Sequence, residues 1–174
     1  MSKLDELATA RRRFPCGDRV RGRVAAVPFG PGRTGLFVDL GAHPEGFVDV
    51  LHLPEDPRRW PPVGREGFFE VLSHRPGQVR LFPLDAGMRA RHHRASNWSG
   101  EEWAAMTERY PIGSMVTGTV TDVFPRGREY AVRFAGGGSF VEYDEVPPTI
   151  GTVATYLVTR HLEWTHRIMV RPEP

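Results

Sequence analysis

Between Gly17 and Asp85 the chain alternates apolar and polar residues in short runs punctuated by glycine. In the first run Val20, Gly22 and Val24 point one way and Arg19, Arg21 and Arg23 the other, the period of two that marks a half-buried β-strand. Three such runs lie close together, and two more follow a longer connection, so the pattern predicts five strands. A small five-stranded antiparallel barrel is the economical way to bury that much apolar face without leaving open edges.

The connections carry their own signals. Residues 2–13, SKLDELATARRR, predict a short helix: Ser2 with Asp5 three positions on resembles a capping box, and Leu4, Leu7 and Ala8 share a face. Its early acids and late arginines complement the helix dipole, and Pro15 ends it. That helix either packs on the barrel edge or serves as a basic arm. PFGPGRTG, between the first two strands, reads as a flexible hairpin tip with Arg33 upon it, and nothing in it makes a phosphate loop. LHLPEDPRRWPPVG is a proline-rich surface connection whose Trp60 can cap the open end of the barrel or stack on a base. Arg75-Pro76-Gly77 marks the closing hairpin.

Beyond Asp85 comes a linker, 86–98, with Arg89, Arg91, His92, His93 and Arg94. A second helix is then expected, with Ser99 and Glu102 as its capping box and Trp98 with Trp103 as a hydrophobic staple, ending at Tyr110-Pro111. From Gly113 the first pattern returns. Gly113, Val116, Gly118, Val120 and Val123 match Gly17, Val20, Gly22, Val24 and Val27 at one constant offset. Phe140-Val141 answers Phe47-Val48, and Arg167-Ile168 answers Arg80-Leu81, at offsets that fall along the chain as loops shorten. The expected organisation is an arm over 1–16, a first barrel over 17–85, a linker with a capped helix over 86–111, and a second, degenerate barrel over 112–174.

The order of these pieces resembles the RNA-binding domain named after ribosomal small-subunit protein one (the S-one domain), an OB-fold. The residues that carry the resemblance are Gly17, Val20, Gly22 and Val24; Phe29, Gly30, Phe37 and Val38; Gly46, Phe47 and Val48; Val63 and Gly64; then Val79 and Leu81. The resemblance implies an all-β fold of two tandem five-stranded OB barrels, with single-stranded RNA bound across the second and third strands of the first. Aromatics there stack bases and basic groups hold the backbone. Carried over position by position, Phe29 and Phe37 take the two aromatic places and Arg80 that of the arginine. The histidine usual on the third strand is replaced by Asp49, and by Glu142 in the second repeat, which adds repulsion toward phosphate.

Composition narrows the field without deciding it. The 174 residues carry a net charge of only +2, so the molecule as a whole is no strong polyanion binder. Lys3 is the one lysine, and arginine supplies the stacking and bidentate phosphate contacts that lysine lacks. The single Cys16 excludes an internal disulfide and fits a reducing compartment, and no apolar run spans a membrane, so cytoplasm is the default expectation. His92 and His93 have no third ligand at helical spacing, no catalytic constellation stands out, and no metal or cofactor is expected. Two functions remain open. One is RNA binding without catalysis, near translation or RNA metabolism, with Phe29, Phe37 and Trp60 stacking and Arg19, Arg21, Arg23, Arg33 and Arg80 holding phosphates. The other is a protein-binding module that has lost the RNA face and meets a basic protein, as an inhibitor of a nuclease or toxin would.

Overall fold

A computed structural model of the chain describes residues 2–28, 30–90 and 98–174. The chain divides into two compact units, Met1–His93 and Arg94–Pro174.

In the first unit, helix α1 (Lys3–Arg13) is capped as expected: the Asp5 N–H donates to Ser2 Oγ at 3.2 Å and the Ser2 N–H donates to Asp5 Oδ2 at 3.0 Å. It packs on the barrel through Ala10 and the capping residue Phe14, which join the core. Buried His74 fastens that end, its Nε2 donating to the Phe14 carbonyl at 2.7 Å. Arg13 is turned to the His43 carbonyl at 2.8 Å.

Five strands follow, β1 (Arg19–Ala26), β2 (Gly35–Asp39), β3 (Glu45–Asp49), β4 (Glu66–Arg75) and β5 (Gln78–Pro83). They close a barrel in the order β1-β2-β3-β5-β4, the OB arrangement. The ladders are not all antiparallel as expected, because β3 and β5 run parallel. An odd number of strands cannot alternate direction all the way round a closed barrel, so one pair must agree. Val24, Val38, Val48, Val71 and Val79 fill the interior with Leu36, Leu81 and Phe69. Burying these side chains against one another supplies the barrel's main stabilisation, about 1.5–3 kcal/mol for each.

The connection between β3 and β4 folds as two 3-10 turns, Val50–His52 and Pro57–Arg59, and delivers Trp60 to the core. Burial of an indole requires a partner for its N–H, and the Pro54 carbonyl accepts it at 2.7 Å.

In the second unit, α2 (Gly100–Arg109) begins with the expected capping box, Ser99 Oγ accepting from the Glu102 N–H at 3.2 Å and Glu102 Oε2 from the Ser99 N–H at 2.7 Å. Its Trp103 and Met106, with Tyr110 at the cap, enter the core of this unit. The strands β6 (Met115–Phe124), β7 (Glu129–Phe134), β8 (Gly137–Glu142), β9 (Val153–Leu162) and β10 (Arg167–Pro172) form a sheet in the order β10-β9-β6-β7-β8. That is the strand order of the first barrel opened between its third and fifth strands. Equivalent glycines hold equivalent places: a Cβ on Gly22 would lie 2.4 Å from Val38 Cγ1, and one on Gly118 2.3 Å from Val132 Cγ1.

The expectation of a second closed barrel is corrected here, since no ladder joins β8 to β10 among the described residues. Gly46 pairs with Val38, and a Cβ there would stand 2.5 Å from Leu81 Cδ1, so the absent side chain lets β5 close on β3. Ser139 pairs with Val132 and holds the corresponding place.

Candidate nucleic-acid interface

Because side chains alternate along a strand, the inward Leu36 and Val38 leave Phe37 outward, Gly46 and Val48 leave Phe47 outward, and Val79 and Leu81 leave Arg80 outward. The register then sets these three outward residues in one row across β2, β3 and β5, with Phe37 opposite Phe47 and Phe47 opposite Arg80. Phe37 and Phe47 meet edge to face with centroids 5.3 Å apart. The Arg80 guanidinium lies over the Phe47 ring, 4.6 Å from its centroid. Covered from both sides, Phe47 is only 5% exposed, while Phe37 stays half-buried.

Asp49 completes the group. Its Oδ2 accepts from Arg80 Nη2 at 2.6 Å, and its Oδ1 accepts from the Leu51 N–H at 3.0 Å, capping the turn that follows β3. The other terminal nitrogen of Arg80, Nη1, donates to Gln78 Oε1 at 3.3 Å. Opposite Asp49 on β2 stands Gly35, where a Cβ would lie 2.0 Å from the Val48 carbonyl oxygen and 2.7 Å from Phe47 Cζ. Glycine at this position is what lets the Phe47 ring and the β3 backbone come so close.

The remaining expected residues do not gather on this row. Arg19, Arg21 and Arg23 point outward over β4, paired in register with Glu70, Phe68 and Glu66. The Arg19 guanidinium sits 4.0 Å from the Phe68 centroid, and Arg21 and Arg23 share Glu66, Arg23 at 3.9 Å. The hydrogen bond and charge of Arg21, with the charge of Arg23 behind them, hold the Glu66 carboxyl below its ordinary range. On β1 it is Ala26, past a bulge, that meets Phe37, so Arg19 lies seven residues from the row, on the order of 20 Å along an extended strand.

Arg33 reaches back over Trp60, 6.0 Å from its ring centroid. With Trp60 in the core, its assignment as a stacking residue gives way to packing, the indole being worth more inside than on the surface. Phe29 lies outside the described residues, as do His92 and His93. Among the described residues no group of three or more histidine, cysteine or acidic side chains is placed to hold a metal, and no helix is long and apolar enough to cross a membrane.

The corresponding face of the second unit is built differently. Phe140 pairs with Ala131 where Phe47 pairs with Phe37, and Phe124 rather than a strand partner comes up beside it, with centroids 5.8 Å apart. Both rings are open to solvent. They border an open groove of about 570 Å³ that is also lined by Trp98, Asp122, Arg133 and Gly137. Met115, Thr117 and Thr119 take the places of the three arginines of β1.

No protein-family model matches the sequence, and no curated protein matches it. Among solved structures, the chain is similar to a multidomain protein with nucleic acid binding domains from Streptococcus pneumoniae TIGR4, with 18% identity over 90% of this chain and 51% of that one and a TM-score of 0.32. It is similar to GSP13 from Bacillus subtilis over 40% of this chain and 55% of that one, with 24% identity and a TM-score of 0.35. Drosophila Unr CSD456 matches with 12% identity over 95% of this chain and 66% of that one, at a TM-score of 0.29. The chain thus spans 51% and 55% of the length of the first two. What its own face can do follows from its own side chains.

Sequence reasoning placed Phe47 in the fold but not in the site, although period-two alternation already turns it outward. The Asp49–Arg80 pair had no sequence signal, because it depends on the parallel ladder between β3 and β5. Asp49 is therefore not an isolated repulsive charge, as expected from its replacement of histidine; it neutralises the arginine beside it.

Proposed function

We propose that the protein binds single-stranded RNA, without catalysis, on the outer face of β2, β3 and β5 of its first unit, and serves RNA metabolism or translation in the cytoplasm. The observation that carries this reading is the row of Phe37, Phe47 and Arg80 across three adjacent strands. A half-buried ring in line with a guanidinium suits a base and its phosphate, since every base has a face to stack and every nucleotide an anion to hold. The arginines of β1 contribute to the general field, not to the row.

The test is fluorescence anisotropy with a labelled single-stranded RNA of about fifteen nucleotides, near the upper end of an OB barrel's site size. Loss of a base–aromatic stack of about 1–3 kcal/mol predicts that Phe37→Ala weakens binding about five-fold to about a hundred-fold. Phe68→Ala removes an equally large ring, 39% exposed, from the β1–β4 face and is expected to leave binding within about two-fold of wild type. Equal effects of the two substitutions, or no binding at low salt, would refute this reading. A protein partner would then be favoured by the solvent-open Phe124 and Phe140 of the second unit.

A further inference from the structure

Resting on that reading of the face, we propose that Asp49 is a built-in competitor for the RNA phosphate: it holds Arg80 closed over Phe47, and RNA binds by taking the guanidinium from it. The geometry sets the competition. A guanidinium offers its donors in a rigid planar fork, which recognises a phosphate through two of them at once. In Arg80 one terminal nitrogen is committed to Asp49 at 2.6 Å and the other to Gln78 at 3.3 Å. Its plane meanwhile covers the Phe47 ring at 4.6 Å. A phosphate must therefore compete with the carboxylate for the end-on fork of the two terminal nitrogens, and an aromatic base reaches Phe47 only as the guanidinium lifts.

The pair is also placed to be exchangeable. The side chains of Arg80 and Asp49 are 29% and 28% exposed, so water and a ligand anion can reach both. The second oxygen of Asp49 stays on the Leu51 N–H, which keeps the carboxylate in place when Arg80 leaves. A cation and an anion in contact contribute no net charge to a polyanion's approach. Arg80 therefore adds little to the salt dependence of binding until Asp49 is neutralised.

Asp49→Asn tests this cleanly, because the amide oxygen keeps the cap on Leu51 and only the charge is removed. Asp49→Ser, which also retains a capping oxygen, guards against a folding artefact. Anisotropy titrations with the same RNA at several salt concentrations would compare these with Arg80→Ala, Asp49→Asn/Arg80→Ala and Phe37→Ala. Asp49→Asn and Asp49→Ser are expected to bind about three- to ten-fold more tightly than wild type at low salt, the scale of a partly exposed ion pair. The slope of log affinity against log salt should steepen by about 0.7, one added phosphate contact on a single strand. Arg80→Ala alone should weaken binding, since it removes the phosphate donor and leaves Asp49 unpaired, and the double substitution should bind no more tightly than wild type.

Unchanged or weaker binding by Asp49→Asn would overturn the proposal and make Asp49 a residue that positions Arg80 for RNA. A gain that survives Arg80→Ala would overturn it too, since it would come from charge alone. If Phe37→Ala abolishes binding while Asp49→Asn changes nothing, the competitor falls and the RNA face stands. If no variant binds RNA, both fall together.

Discussion

Gly35→Ala is the perturbation with the most direct structural magnitude. The new methyl would lie 2.0 Å from the Val48 carbonyl oxygen and 2.7 Å from Phe47 Cζ. Comfortable contact is about 3.5 Å, so the carbonyl must retreat by more than about 1 Å. It is a backbone atom, and no side-chain rotation can move it. Relief comes by opening the end of the β2–β3 ladder, where Gly35 pairs with Asp49 and the Val50 N–H donates to the Thr34 carbonyl at 2.8 Å. Overpacking of this kind costs about 1–3 kcal/mol, and the loosened ladder bond adds about 1 kcal/mol. The backbone at φ +155° lies near the edge of what other residues tolerate and adds to the same side. About 3 kcal/mol is expected in all.

Urea unfolding resolved by hydrogen exchange, peptide by peptide, separates the two units. Amides of β2 and β3 should lose about a hundred-fold in protection, the second unit should be unmoved, and RNA binding should fall because the row of Phe37 and Phe47 is displaced. Gly87→Ala is the control, with nothing within 4 Å of its Cβ and no positive φ. A Gly35→Ala protein within about 1 kcal/mol of the Gly87→Ala protein would refute the claim that close approach of β2 and β3 builds the face.

Two other outcomes follow from the packing and charge of the first unit. Trp60→Ala removes a core ring and leaves the Pro54 carbonyl without its 2.7 Å donor, so the first unit should lose about 3–5 kcal/mol by urea unfolding; a loss below about 1 kcal/mol would put Trp60 on the surface after all. Glu66 has its carboxyl lowered from an ordinary 4.5, chiefly by the hydrogen bond and charge of Arg21, so its contribution is present above that pH and is lost as pH falls through the lowered value. Thermal melts on the acid side should therefore fall less steeply for Glu66→Gln than for wild type, and parallel curves would show that the pair contributes nothing in the folded state.

Strand period, helix caps and glycine spacing are local properties, and they were legible in the sequence. Val20, Gly22 and Val24 do face inward, Ser2 and Ser99 do cap their helices, and Phe37 does stand outward on the second strand. Each follows from the chain's own alternation or from a contact spanning three residues, so no knowledge of distant partners is needed.

What strands do to one another was decided only in three dimensions. The parallel ladder of β3 and β5 brings Asp49 to Arg80 and lays Arg80 on Phe47, turning an acid that reads as repulsive into the partner of an arginine. A bulge after Val24 and the pairing with β4 carry the three arginines of β1 toward Glu66 and Phe68 instead of the aromatic row. Burial likewise assigned Trp60 to the core, and the second sheet, for all its matching pattern, has no ladder between β8 and β10 among the described residues. Register, closure and charge pairing join residues remote in sequence, and their energies depend on distances that a one-dimensional pattern does not contain.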